Sequence, residues 1–280
     1  MALVQAPLLL VLLAAAHYAL GLRNRYELVG RARAHEAWRT ASFVAALVLL
    51  EAVLCTPFDR LAHRSLAAHM LQHVVLMSFV PPLLVLAAPW LIVWRGLPLQ
   101  VRRPLAHGVV RLPARVRRVL RACITPWPAW ILLNADLAVW HVPWLYDRTL
   151  QDGALHDLEH VTFLVFGILF WIPLLDSPPL HARLDELRRA LYVTAGAATG
   201  WILSLVLTFA PRPLYPAYAA VANRPGGISA LADQQLAGGI MLAIGSLPLS
   251  IAVFVFIYRW LDESKQPPRR KAMRVAQEVD

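Results

Sequence analysis

The stretch HMLQHVVLMSFVPP, residues 69 to 82, decides how this chain is read. Beyond His73 it has the apolar character of a membrane-spanning helix. Yet it opens on two histidines four residues apart and closes on two prolines. A membrane interior penalises ionisable side chains, and proline removes a backbone donor and bends a helix. The run around it, roughly residues 66 to 94, is therefore either a bent span or a span followed by a re-entrant piece.

Working outward, the 280 residues are 59% hydrophobic, with a mean hydropathy of +0.54. Several apolar runs reach about 18 residues, enough to cross roughly 30 Å of hydrocarbon. The alternating strands of about ten residues that build a membrane barrel are missing. The expected fold class is all-α: a polytopic membrane helix bundle of about seven transmembrane helices. The spans fall near residues 3–22, 40–57, 66–94, 122–142, 156–175, 189–210 and 236–260. Residues 1–261 form the transmembrane domain, and 262–280, with Pro267-Pro268 and RRK, read as a polar, disordered cytoplasmic tail. The first basic residue is Arg23, so the first apolar run lacks the positive start of a secretory signal and is expected to stay as a helix.

Charge gives the orientation. With these spans, 22 Lys and Arg lie on one side and 5 on the other. Because Lys and Arg collect in cytoplasmic loops, the N-terminus is expected outside and the C-terminus in the cytoplasm. The net charge of +10 is spread over loops and tail rather than gathered in one module, which argues for a lipid bilayer as partner and against nucleic acid. The two cysteines, Cys55 and Cys123, form no CxxC and fall on opposite sides, so neither a disulfide nor a thiolate zinc ribbon is expected. Cys55 ends the second span on the outer side, where it is either a small buried residue or a soft ligand.

The same topology sorts the ten histidines. His63, His69, His73, His141, His156 and His160 collect on the outer side. His69/His73 and His156/His160 each have i,i+4 spacing, which puts both rings on one helix face. Two imidazoles so placed can grip one ion, and imidazole suits copper, zinc and iron. Met77, one turn below His73, offers a thioether that tilts the set toward copper. His141 closes the fourth span, with Asp136 about a turn before it. HDLEH, residues 156 to 160, adds Asp157 and Glu159, and Asp233 opens the seventh span. Asp136, Glu159 and Asp233 are candidates to orient ligand imidazoles or to ligate directly. The candidate metal ligands are thus His69, His73, His156, His160, His141, Asp136 and Met77.

Other chemistries leave alternatives. A bis-histidine haem needs two histidines on different helices, and His73 with His160 would serve. HDLEH also matches H-x-x-E-H, an inverted zinc-protease signature, but no glutamate follows Glu159 on the outer side, and no enzyme is expected. A retinal Schiff base needs an intramembrane lysine, and the only lysines, Lys265 and Lys271, lie in the tail. The histidines as interhelix hydrogen bonders in a metal-free scaffold remain the plain alternative.

Several stretches taken together resemble one family. They are SLAAHMLQHVVLMSFVPPLLVLAAP, NADLAVWHVPWLYD, LHDLEHVTFLVFGILFWIPLL, FAPRPLYPAY and LADQQLAGGIM. From about residue 40 to 260 the chain is similar to the CtaG-type cytochrome c oxidase assembly factors, seven-span proteins of bacterial cytoplasmic membranes. The resemblance implies a role in maturing a haem-copper oxidase around its copper, with oxidase subunits as partners.

Overall fold

The computed structural model describes residues 5–29, 37–54 and 57–265. Cys55 and most of the tail, 266–280, lie outside the described residues. Helices α1 (Gln5–Val29) and α2 (Ala37–Leu54) are followed by the short α3 (Pro57–Ala62). Next, α4 (Leu66–Val74) passes through one π-helical turn, Val75–Phe79, into α5 (Val80–Ala87). After α6 (Trp90–Gly96), α7 (Leu99–Arg111) and α8 (Ala114–Cys123), the chain bends by 74° into α9 (Pro126–Trp140). Then come α10 (Pro143–Thr149), α11 (Gly153–Trp171), α12 (Glu186–Phe209), α13 (Pro216–Ala219), α14 (Ala230–Ala243) and α15 (Leu247–Lys265). Among the described residues no strand forms, only an isolated bridge between Ser177 and Leu180.

The helices start where side chains can satisfy the free N–H groups of a first turn. Ser65 accepts from Ala68 N, Asp152 from Ala154 N and Leu155 N, Asp185 from Arg188 N, and Ser229 from Ala232 N. Among the described residues, five stretches are long and apolar enough to cross a membrane: Ala37–Leu54, Leu66–Ala87, Gly153–Trp171, Glu186–Phe209 and Ala230–Lys265. The bent pair α8–α9 makes a sixth if it is taken as one span, and Leu8–Asn24 is a shorter apolar helix. The chain is therefore a membrane helix bundle.

Two boundaries differ from the sequence expectation. The third span does not continue to residue 94. It stops at Ala87, where Ala88 takes a left-handed conformation (φ 48°) ahead of Pro89. The following α6 folds onto α1, and Gly21 and Gly96 let the two backbones touch at Ile92 and His17. Residues 99–123 are also no loop. In α8, Arg115, Arg117, Arg118 and Arg121 share one face and Val116, Val119 and Leu120 the opposite one, and no residue of α7 or α8 is buried. A helix so divided suits the headgroup layer. Hydropathy alone, dominated by the arginines, hid it.

The span α4–α5 is the central element, far more buried than any other span. Its π turn has a local cause. Pro81 and Pro82 bring no N–H and their rings crowd the carbonyls one turn back. A wider turn relieves this, and the Val80 N–H bonds to Val75 O, five residues earlier. The helix stays continuous through Pro81-Pro82, and the break in this run comes at Ala88 instead. Helix α11 packs directly on this turn at Gly167, where an added Cβ would stand 2.7 Å from Pro81 Cγ and 3.0 Å from Met77 O. Gly167→Leu is therefore expected to overpack this contact by about 1–3 kcal/mol and to lower the thermal unfolding midpoint in detergent. An unchanged midpoint would show that α11 does not rest on the π turn.

Candidate metal centre

The site is built from the start of α4. Asp233 on α14 is 1% exposed, and its carboxylate accepts from Ser65 Oγ (2.7 Å), Leu66 N (2.8 Å) and Ala67 N (3.2 Å). An anion at a helix N-terminus meets both the free N–H groups and the helix dipole. Next to it, Gln234 accepts from Leu214 N (2.6 Å) and donates to Leu207 O (3.1 Å). The D-Q pair thus ties α14 to the head of α4 and to the end of α12. Asp233, considered from sequence as a ligand or an orienting group, is instead a structural anchor.

This anchoring sets the height of His69 and His73. Both face inward and are 0% and 2% exposed. His156, Glu159 and His160 share one face of α11, as their spacing of three and four dictates, and all are buried. The rings converge: centroids lie 4.4 Å apart for His69–His73, 4.1 Å for His156–His160, 5.1 Å for His69–His156 and 5.4 Å for His73–His160. His141, buried just after α9, stands 6.4 Å from His73, and Tyr146 on α10 packs 5.3 Å from His69. Glu159 Oε1 is 3.6 Å from His73 Nε2.

Hydrogen bonds decide where the ring protons sit. Tyr218 donates its single hydroxyl proton to Ala62 O at 2.6 Å, and its oxygen is 2.6 Å from His69 Nδ1. Burial holds the Tyr218 hydroxyl well above its ordinary pKa, so it remains protonated. His69 Nδ1 is therefore the donor, and Nε2 keeps the lone pair. His141 Nδ1 donates to Leu137 O (2.8 Å), which likewise frees its Nε2. The Nε2 atoms of His69, His73, His141, His156 and His160, and both Glu159 oxygens, are buried without hydrogen-bond partners among the described residues. Buried polar atoms are normally paired, so this concentration of unpartnered ring nitrogens and carboxyl oxygens requires a reason.

Two overlapping sets place their donor atoms within 4.8 Å of one another: His69, His156 and His160, and His69, His73 and Glu159. Nitrogens sharing one ion at bonds of about 2.0–2.1 Å stand at most about 4.2 Å apart. Small side-chain shifts would close either set. The donors are neutral imidazoles plus one carboxylate, a set that suits copper, zinc or iron.

Four sequence candidates thus come together: His69, His73, His156 and His160. His141 borders them. Asp136 lies in neither converging set and accepts from Trp140 Nε1 at 2.9 Å; that N–H also reaches Thr162 Oγ1 at 2.9 Å and so links α9 to α11. Met77 sits in the π turn, packed against the two main apolar cores. Asp157 is exposed. Sequence reasoning passed over Tyr218, Tyr146 and the role of His63. The tyrosines of LYPAY and WLYD were visible, but nothing local tied them to an imidazole.

With this geometry in place, comparison adds context. Residues 16–263 match the family model described as "Cytochrome c oxidase caa3 assembly factor (Caa3_CtaG)". Two curated mycobacterial proteins are similar, the uncharacterized protein Mb0105 of Mycobacterium bovis and the uncharacterized protein MT0111 of Mycobacterium tuberculosis. Each is 26% identical over 209 residues, which is 73% of this chain and 31% of the relative, so the chain spans about a third of the relatives it matches. No solved structure matches significantly.

Replacing Asp233 by alanine strands three donors at the head of α4. Each buried unpaired group costs about 1–3 kcal/mol, so Asp233→Ala should destabilise by about 3 kcal/mol or more, read as a large drop in the unfolding midpoint. Asp233→Asn, which keeps acceptor oxygen, should cost clearly less. Equal effects would refute the anchor.

Proposed function

The chain belongs to the cytochrome c oxidase caa3 assembly factor family, and from that membership we propose that its buried histidine cluster holds copper and passes it toward the oxidase during assembly. The family carries the assembly role. The single observation supporting copper is the convergence of buried, unpartnered imidazole nitrogens from α4 and α11. His69, His156 and His160 would hold the ion, with His73, His141 and Glu159 alongside. The ion is cargo, and no bond-making chemistry is assigned to the protein.

Two overlapping donor sets suit a carrier better than a permanent site. Ligands can be exchanged within the cluster, so the ion need never be bare in a low-dielectric interior. Rings packed at 4.1–5.4 Å favour an ion over a planar macrocycle interleaved between His73 and His160. Haem is the less supported occupant for that reason. A metal-free scaffold leaves these buried ring nitrogens unpaired.

We further read seven crossings, counting α1 and α9, which the chain enters from α8 at the 74° bend. The arginine-rich α7 and α8 then lie on the cytoplasmic side, and the cluster faces outward in a bacterial cytoplasmic membrane. Oxidase subunits are the expected partners.

The deciding measurement is copper and haem content of the detergent-purified protein after Cu(I) loading under reducing conditions, wild type beside His73→Ala/His160→Ala. Copper bound by the wild type and lost in the variant is expected. Absence of copper from a folded wild type would sink the carrier reading, and a haem absorption band would replace it.

A separate outcome follows from the His69 tautomer. Tyr218→Phe removes the acceptor that fixes His69 Nδ1–H. Loss of such an orienting partner typically costs about 10–100-fold in metal affinity. Competition with a chromophoric Cu(I) chelator should show this weakening at unchanged stoichiometry.

A further inference from the structure

Resting on the copper reading above, we propose that His63 is the surface ligand through which copper reaches the buried cluster. His63 lies in the turn between α3 and α4 and is exposed, whereas His156, His160, His69, His73 and His141 are 9%, 8%, 0%, 2% and 6% exposed. Its ring stands edge-on to His156, with centroids 5.5 Å apart. From there the rings continue inward without a gap: His156 to His160 at 4.1 Å, His156 to His69 at 5.1 Å, and His69 to His73 at 4.4 Å. One imidazole at the surface thus touches a chain of imidazoles leading into the protein.

The protonation of His63 suits the task. Its Nδ1 lies 3.1 Å from Asp59 O. A carbonyl only accepts, so Nδ1 carries the proton and Nε2 the lone pair. The backbone N–H of His63 bonds to the same carbonyl at 3.2 Å, which fixes the ring against the end of α3. His156 Nε2, the next donor inward, is buried without a hydrogen-bond partner.

The transfer is a ligand exchange. Copper bound at His63 Nε2 forms a bond to His156 Nε2, and the bond to His63 then breaks. The ion keeps its oxidation state. One nitrogen–copper bond forms as the other breaks, and nothing else is exchanged. Without His63 the first accessible nitrogen belongs to a ring already largely buried, and the incoming ion must lose its solvent ligands before gaining a protein one. Such a loss slows the rate and leaves the final site intact.

The experiment follows Cu(I) transfer from its bicinchoninate complex to the detergent-purified full chain by stopped-flow absorbance. Wild type, His63→Ala, His63→Met and His156→Ala are compared, with unfolding midpoints measured in parallel. His63→Ala should load at least about tenfold more slowly and reach the wild-type stoichiometry. His63→Met, which restores a copper ligand without restoring the bond to Asp59 O, should recover much of the rate. His156→Ala should lower the stoichiometry itself. Wild-type loading kinetics in His63→Ala would overturn the role of His63. So would a slow His63→Ala that has also lost thermal stability and is not rescued by His63→Met, since His63 would then only be closing α3. A folded wild type that takes up no copper is a different failure, that of the copper reading on which this role rests.

Discussion

The candidate site depends on one buried carboxylate. Asp233, contributed by α14, gathers Ser65 Oγ, Leu66 N and Ala67 N at the first turn of α4. His69 begins the next turn and His73 the one after. A helix rises about 1.5 Å per residue, so the first turn fixes the depth and azimuth of both rings. The contact joins positions 168 residues apart in the chain. It also explains why an acidic group is tolerated in an apolar bundle: two of the three bonds to Asp233 come from backbone N–H groups that would otherwise be stranded at a helix end.

The second constraint is the meeting of α11 with the π turn. Pro81 and Pro82 force that turn open, and Gly167 lets α11 settle against it. His160 lies seven residues, about two turns, nearer the start of α11, and there the gap between α11 and α4 is filled by imidazoles and by Tyr146 instead of aliphatic side chains. Below, Phe163 packs 4.7 Å from His73 and closes the cluster toward the apolar core. Proline, glycine and histidine therefore act as one device. The first two set where two helices touch, and the third occupies the space this leaves.

Such a cluster is costly as a purely structural element. Neutral imidazole nitrogens buried without partners lose hydrogen bonds to water and gain none in return. A core built for stability would replace them with leucine or phenylalanine. The second layer sharpens the contrast, because Tyr218 and Leu137 O pin the Nδ1 protons of His69 and His141 and leave their Nε2 atoms open.

Much of this was legible in the sequence. Apolar run lengths determined a helical membrane protein, because only helices satisfy every backbone group within one segment in lipid. The spacing of four determined that His69 shares a face with His73 and His156 with His160, because that is local helix geometry. Local spacing also proposed Asp136 and Met77, and the fold engages them elsewhere, with Trp140 and in the apolar core. Only the tertiary structure decided that the two histidine faces meet, that Asp233 anchors a helix, that Tyr218 sets a tautomer and that His63 stands beside His156. Each of these joins residues distant in sequence. The direction in which a helix face points depends on its packing partners, and periodicity within one helix carries no information about them.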